Sequence, residues 1–338
     1  MNIKLLGIDI AKYVFQLHGI DSSGKAVLRK KIKRDQLIEF IVKLPVCTIA
    51  MEACGGSNYW ARQFKKLGHK VKLISPQFVK PFVKGNKNDR NDAEAIAEAA
   101  SRPSMKFVPI KMVEQQDVQN LHNVRQQLIT QRTALSNQIR GILLESGICF
   151  AKGFPSLRKH IPEILENAEN ELTAAGRELI HELFEGFLEL SKRILHYDKK
   201  LQTYFNESEA CQKIKELEGI GPIVATAIVS KMGDPKQFKR GRHFAAFLGL
   251  VPRQHSSGGK ERLLGISKRG DKYLRTLLIH GARSAVTRID KKTDPKSMWL
   301  KQLKERRGIN RAAVALANKN ARVIWALLAN NETCRQAT

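Results

Sequence analysis

The sequence predicts a mixed α/β domain followed by a long, mostly helical remainder. Two observations carry that expectation. Near the start, short runs rich in Ile, Val, Leu and Phe are separated by turn residues, the pattern of strands. From about residue 113 onward, apolar residues recur at spacings of three and four, the pattern of helices that pack by one face.

Taken in order, residues 3–10, 14–20 and 27–33 read as three antiparallel strands in a meander, joined by AKY and DSSGKA. A helix over about 35–44 follows, then a strand in CTIAMEA, a helix in NYWARQFKKLG closed by Gly68, and a strand in KVKLIS. NDAEAIAEAA reads as an alanine-rich helix whose start Asn91 or Asp89 could cap. The order βββαβαβα belongs to a mixed sheet with helices on its faces, that of an RNase H-like fold. Val118, Leu121, Leu128, Leu135 and Ile142 mark a long amphipathic helix over about 113–145. Leu179, Leu183, Phe187, Leu190, Ile194, Tyr197, Leu201 and Tyr204 follow a coiled-coil seam and predict helix pairing, within or between chains. Beyond 211, Gly-Ile-Gly separates two apolar helical stretches, and MWLKQLKERRG and RAAVALANKNARVIWALLA read as closing helices. Three parts are expected: the α/β domain over 1–110, a helical coiled-coil segment over 111–210, and a basic helical region over 211–338.

Charge narrows the partner. The formal net charge is +27, far beyond what solubility needs, and a polyanion such as nucleic acid is the natural counterpart. Residues 151–210 hold 8 Lys and Arg against 11 Asp and Glu, so the rest of the chain carries +30. Cys47, Cys54, Cys149, Cys211 and Cys334 are scattered without metal-ligand spacing, which fits a reducing cytosol. No apolar run approaches the roughly 18 residues of a membrane span. The expectation is a cytoplasmic, nucleoid-associated protein with no membrane partner.

Four acids stand out in this basic chain. Asp9 interrupts an apolar strand, Glu52 ends another, and Asp89 and Asp92 open a helix one turn apart on one face. In the expected sheet the first strand and CTIAMEA are neighbours, so the four can converge. Together they would repel one another, an objection that divalent cations remove. Oxygen ligands of this kind suit Mg²⁺ or Mn²⁺, and two such ions about 4 Å apart clamp the attacking and leaving oxygens of a phosphodiester. Lys84, Lys87 and Arg90 would then grip the flanking phosphates. Taken singly, Asp9 also reads as a strand-end turn residue, and Asp89 and Asp92 as capping acids at a helix start.

A second candidate site lies in VPRQHSSGGKERLLGISKRG, where two serines share a loop with two glycines among Arg253, Lys260 and Arg262, with His255 nearby. A hydroxyl becomes a nucleophile only when a base, a metal or cations assist it, and a flexible surface turn is the other reading. In LEGIGPIVATAIV, Gly219 and Gly221 would let N–H groups at a helix start approach a phosphate, as in a helix-hairpin-helix. A plain glycine turn between packed helices is the alternative. The basic runs at 30–33 and 304–307 read as solvated faces that add salt-sensitive affinity. Trp60, Trp299 and Trp325 read as core or interface, and His18, His69 and His122 show no ligand spacing.

Three blocks, GIDIAK ending in Lys12, MEACGGSNYWAR and KNDRNDAEAIAEA, resemble in order and spacing those of the DEDD-type insertion-sequence transposases of the IS110 family, whose catalytic domain is similar to the resolvase RuvC. EACGG in place of EATG points to the IS1111 branch. Further on, Pro252, Arg253, Ser257 and Gly258 match the family's Pro-Arg-x-x-x-Ser-Gly, and Ser267, Lys268, Gly270, Leu274 and Arg275 match its Ser-Lys-x-Gly-x-x-x-Leu-Arg, with Arg269 inside it. The resemblance implies that Asp9, Glu52, Asp89 and Asp92 hold metal and that Ser257, with Ser256 as competitor, joins covalently to DNA. It places Lys268, Arg269 and Arg275 among the nucleic-acid contacts. It also implies a homodimer or homotetramer in which one protomer's serine completes another's acid site, and a structured bridge RNA as guide. Two other classes stay open on the residues alone: a non-catalytic DNA-architectural protein, and an actin-like kinase or ATPase, which shares the GID strand but would need phosphate and adenosine glycines not found here.

Overall fold

A computed structural model describes residues 2–84 and 89–332, with the backbone alone at Asp89 and Arg90. Lys87 falls outside the described residues. Chain contacts divide the protein into two units, Met1–Val113 and Glu114–Thr338.

In the first unit, β1 (Leu5–Ile10), β2 (Val14–Ile20), β3 (Ala26–Lys33), α1 (Leu37–Val42), β4 (Thr48–Glu52), α2 (Ser57–Lys66), β5 (Lys70–Ile74), α3 (Pro76–Val79), α4 (Asp89–Ser101) and β6 (Phe107–Val108) follow one another. The sheet order is β3-β2-β1-β4-β5-β6. β1, β4 and β5 run parallel and the other pairs antiparallel, so the expected mixed sheet is present. β6 was not expected, because two residues carry no readable period.

Side chains alternate between the two faces of a sheet, and each face here has its own helix layer. Leu6, Ile8, Phe15, Leu17 and Met51 pack with Leu37 and Ile41 of α1 and Trp60 and Phe64 of α2. Each such fully buried side chain contributes about 1.5–3 kcal/mol. Leu5, Ala50 and Ile74 point the other way, into a core with Ile96, Ala99 and Ala100 of α4. This second layer is thin because the helix is built of alanines. A Cβ on Gly7 would lie 2.4 Å from Ala93 O, so β1 accepts α4 only where it has no side chain.

The second unit begins with α5 (Val113–Glu145), whose bounds match the expected long helix, followed by α6 (Phe154–Glu166) and α7 (Ala174–Glu207). α6 was not expected, since Pro162 inside it breaks the helical pattern. The remaining elements are α8 (Glu209–Ile214), α9 (Pro222–Met232), α10 (Gly241–Phe247), β7 (Pro252–Gln254), β8 (Leu263–Ile266), α11 (Lys272–Thr287), α12 (Pro295–Arg307) and α13 (Ile309–Ala329). Ile214, Ile228, Phe244, Leu278 and Leu316 anchor the core of this helical array.

The seam of α7 differs from its expected register. The buried stripe is Ile180, Phe184, Phe187, Ser191, Ile194 and Leu201, while Leu179 is 45% exposed. Its upper part packs against Ile139 and Leu143 of α5 and Leu157 and Ile161 of α6, so this stripe is used within the chain. Lower down, α7 lies against α8 and α9. The helical segment and the basic helical region, anticipated as separate parts, therefore share one unit. No helix among the described residues is long and apolar enough to cross a membrane.

Candidate active site and nucleic-acid interface

Sheet register brings the first two acids together. β1 and β4 pair from Leu5 with Thr48 to Ile8 with Met51. Asp9 and Glu52 are the next residues on the two strands, one strand spacing apart, about 4.8 Å. Both are half-buried. By alternation they share the face of Leu5, Gly7 and Ala50, which α4 covers. Their fields converge on the adjacent turn: burial pushes the Cys54 thiol up, and the charges of Glu52 and Asp9 push it further.

Asp92 enters from the facing helix. It lies one turn before Ile96, on the stripe that α4 turns to the sheet. The neighbouring Ala93 lines a cavity with Gln16, the cross-strand partner of Asp9. The Asp89 carboxylate and the Arg90 guanidinium lie outside the described residues. Among the described residues no three His, Cys, Asp or Glu side chains come within reach of a common ion. What the sheet assembles is the Asp9–Glu52 pair, with Asp92 on the helix laid over it.

Of the flanking cations, Lys84 Nζ sits 3.1 Å from Glu98 Oε2, with its side chain 77% exposed. Lys12 follows β1 in an exposed turn, its ammonium 5.2 Å from the centre of the Tyr13 ring. Tyr13 is itself 68% exposed.

In the second unit, the serine loop is a β-hairpin rather than an irregular loop. β7 pairs with β8, and Ser257 bridges Lys260 across Gly258 and Gly259, whose φ values are +55° and +76°. Two consecutive positive φ angles define the turn that matches the twist of a hairpin, and glycine meets them without strain. Ser257 therefore stands at the exposed tip, and its hydroxyl has no hydrogen-bond partner among the described residues. Ser256 Oγ accepts from the Arg262 N–H at 3.4 Å, inside the hairpin. Arg253, Lys260 and Arg262 are exposed along the same ribbon.

The Ser267–Gly270 turn is clamped beneath it. Ser267 N–H donates to Val251 O at 2.8 Å and Lys268 N–H to Gly249 O at 3.1 Å. A Cβ on Gly270 would lie 2.0 Å from Phe247 O. Lys268 takes a left-handed φ of +54°, and Lys268 and Arg269 are both exposed.

Arg275 departs from the expectation. It is 9% exposed, and its Nη1 donates to Leu248 O at 3.1 Å. The helical period of α11 turns it inward, where it supports the segment before β7 and cannot reach a nucleic-acid backbone. Gly219 is also explained by packing: with φ +83°, a Cβ there would lie 2.5 Å from the Gly281 backbone of α11. Gly221 is exposed at the start of α9, with open space around its α carbon.

The sequence profile described as Transposase, of the DEDD type named for IS110, matches residues 6–148. The profile described as Transposase IS116/IS110/IS902 family matches residues 211–297. A probable family 20 transposase of Pseudomonas aeruginosa is 51% identical over 335 residues, covering 99% of both chains. The transposase for insertion sequence element IS1111A of Coxiella burnetii is 52% identical over 334 residues, covering 99% of this chain and 92% of its own. The transposase for IS1328 of Yersinia enterocolitica is 42% identical over 326 residues, covering 96% of both. The chain belongs to the IS110/IS116/IS902 transposase family.

As an insertion-sequence transposase it is of a DNA-cleaving and rejoining enzyme class, and its DEDD domain implies use of divalent metal. The donors fit that role: Asp9 and Glu52, the residues that follow the paired Ile8 and Met51, carry carboxylate oxygens, the hard ligands that Mg²⁺ and Mn²⁺ prefer. Sequence reasoning passed over Gln16 and read Lys31 only as part of a solvated basic run, whereas both stand in one transverse row with Asp9. The signal was available in the meander register.

Proposed function

We propose that this transposase cuts a DNA strand at the Asp9–Glu52–Asp92 site and transfers the cut end to Ser257, forming a protein–DNA phosphodiester that is later resolved to move or invert its element. The observation that carries the reading is the pairing of Asp9 and Glu52 on one covered face, with α4 laid against it at Gly7. Two Mg²⁺ or Mn²⁺ ions, held by these acids with Asp89, would supply Lewis-acid stabilisation of the attacking and leaving oxygens.

The chain's own groups divide the remaining work. Ser257 Oγ gives up its proton and forms a bond to phosphorus as a P–O ester bond of the strand breaks, and the leaving oxygen takes a proton. Rejoining runs the same exchange backward with an incoming hydroxyl. Exposure at the hairpin tip favours Ser257 over Ser256, whose oxygen accepts a backbone N–H. Arg253, Lys260, Arg262, Lys268 and Arg269 hold the backbone of DNA or of a structured guide RNA by charge and shape. Lys12 and Lys84 do so near the acid site, Lys87 and Arg90 take the same role from their place in the sequence, and Gly221 offers a helix start to a phosphate. The family resemblance adds a homodimer or homotetramer in which one protomer's serine serves another's acids, acting in the cytosol.

The deciding experiment incubates the purified protein with its element ends, Mg²⁺ and co-expressed RNA, then seeks a protein-linked strand on a denaturing gel. Asp9→Asn and Asp92→Asn abolish cleavage and keep binding, and Ser257→Ala removes the adduct. An adduct that survives Ser257→Ala transfers the role to Ser256. Binding without any strand cut under these conditions supports a purely architectural protein instead.

A further inference from the structure

We propose that the open face of β3 seats the DNA strand that the acid site cuts, with Arg29, Lys31 and Lys33 each engaging a backbone phosphate. The inference rests on the reading of Asp9 and Glu52 as the cutting site. Register supplies the first argument. Lys31 pairs with Gln16, and Gln16 pairs with Asp9. Lys31, Gln16 and Asp9 therefore form one row across the sheet, on the face that Glu52 continues. The neighbouring row runs Arg29, His18, Gly7. With strands about 4.8 Å apart, Lys31 starts about 10 Å from Asp9, a gap that a long side chain and a bound phosphate fill.

The second argument is the space. α4 rests on β1 at Gly7 and reaches over β2, where His18 is 4% exposed, while Arg29, Lys31 and Lys33 of β3 stay exposed. A cavity of about 320 Å³ remains, lined by Gln16, His18, Arg29, Lys31 and Ala93 among others. Arg29, Lys31 and Lys33 are all exposed and alternate along the strand, about 6.6 Å apart. Among the described residues Glu94 is ion-paired to the strip, its Oε2 3.6 Å from Arg29 Nη2 and 3.8 Å from His18 Nδ1. Its charge is outnumbered, so the strip stays positive.

Cations on an edge strand also discourage unwanted sheet extension, but that role has no preferred face. Here Lys30, on the opposite face, lies over the Phe40 ring at 4.4 Å. The three open cations share the face of the acids. DNA is favoured over RNA because a strand along this strip runs alongside β1 and passes level with Asp9, where cutting is proposed.

The test uses the full-length protein with Asp9→Asn, which keeps DNA uncut, and adds Arg29→Gln, Lys31→Gln and Lys33→Gln together. The probes are a labelled duplex bearing the element end and a labelled RNA of the same length. Loss of three phosphate contacts makes the slope of log affinity against log salt shallower by about 2–3 for DNA. In the Asp9 protein the same triple change lowers cleavage at limiting DNA more than tenfold, and Arg29→Lys, Lys31→Arg and Lys33→Arg restore it. An unchanged DNA slope, a change confined to RNA, or undiminished cleavage would overturn the proposal. If the triple variant melts early, Lys31→Gln alone is read by its smaller slope change of about 0.8. Cleavage persisting in Asp9→Asn would instead overturn the catalytic reading, and the slopes would still judge the strip.

Discussion

Gly7 of β1 and Ala93 of α4 touch backbone to backbone: a Cβ on Gly7 would lie 2.4 Å from the Ala93 carbonyl oxygen and 2.8 Å from the Ala97 nitrogen. The contact sets the height of α4 above the strand that carries Asp9, and Asp92 is the residue next to Ala93. Gly7→Ala must lift the helix, because neither partner atom belongs to a movable side chain. The expected result is a destabilisation of about 1–3 kcal/mol together with a loss of cleavage of roughly a hundredfold from misplaced acids. Thermal unfolding and a cleavage gel measure the two effects. A variant with wild-type melting and wild-type rate would show that helix height does not matter to the site.

Much of this arrangement is legible in the sequence. The meander places Asp9 beside the end of CTIAMEA, and the apolar spacing of α5 gives both of its ends. Other features escape for physical reasons. β6 is two residues long and α6 carries an internal proline, so neither shows a clean period. The α7 seam is displaced because Leu and Tyr occur on both sides of the buried stripe, and only packing against α5 and α6 selects Ile180 and Phe184. Arg275 reads as a basic contact until the turn of α11 directs it inward. At Ser257, glycines that fit any flexible loop also fit a tight hairpin, and the pairing of β7 with β8 decides between them.

Arg275 and Arg253 should therefore fail in different ways. Arg275→Met leaves the Leu248 carbonyl without its charged donor and lowers stability by about 1.5–3 kcal/mol in urea unfolding. Arg253→Ala, on the exposed ribbon, shifts stability by less than about 0.5 kcal/mol. It weakens binding to all sequences alike and makes the salt slope shallower by about 1. Equal stability losses in both variants would contradict the buried placement of Arg275.

The hairpin turn gives a separable test of how Ser257 is presented. Gly258→Ala and Gly259→Ala each place a Cβ at positive φ, a strain of about 1–2 kcal/mol per residue. Open space surrounds both glycines, so no other clash follows. The double variant should keep the wild-type melting temperature within a few degrees, since the strain is relieved by opening the tip and leaving the core intact. Its covalent adduct should fall at least tenfold on a denaturing gel while binding persists. Adduct at wild-type yield would mean that the serine acts from a loop with no need of the turn.

His122 links stability to pH through a chain of hydrogen bonds at the heart of the second unit. It is 1% exposed, and Thr226, whose hydroxyl donates to Pro222 O at 2.7 Å, must accept from His122 Nε2–H at 3.0 Å. Nδ1 is then free to accept from the Tyr273 hydroxyl at 2.9 Å, which ties α5 to α11. Both ring nitrogens are committed to the neutral imidazole. Burial lowers its pKa from 6.5 to about 4, helped by the nearby charges of Arg125 and Lys231. The unfolded chain thus binds more protons than the folded one between these values, and stability rises with pH across that window. The contribution is complete above about pH 6.5 and is lost as pH falls toward 4, amounting to about 3 kcal/mol. His122→Gln keeps a donor for Thr226 and removes the titration. Its urea midpoint should be flatter between pH 4.5 and 6.5 than that of the wild type, by about 2 kcal/mol over the window. Parallel profiles would place the acid sensitivity of the fold in its carboxylates instead.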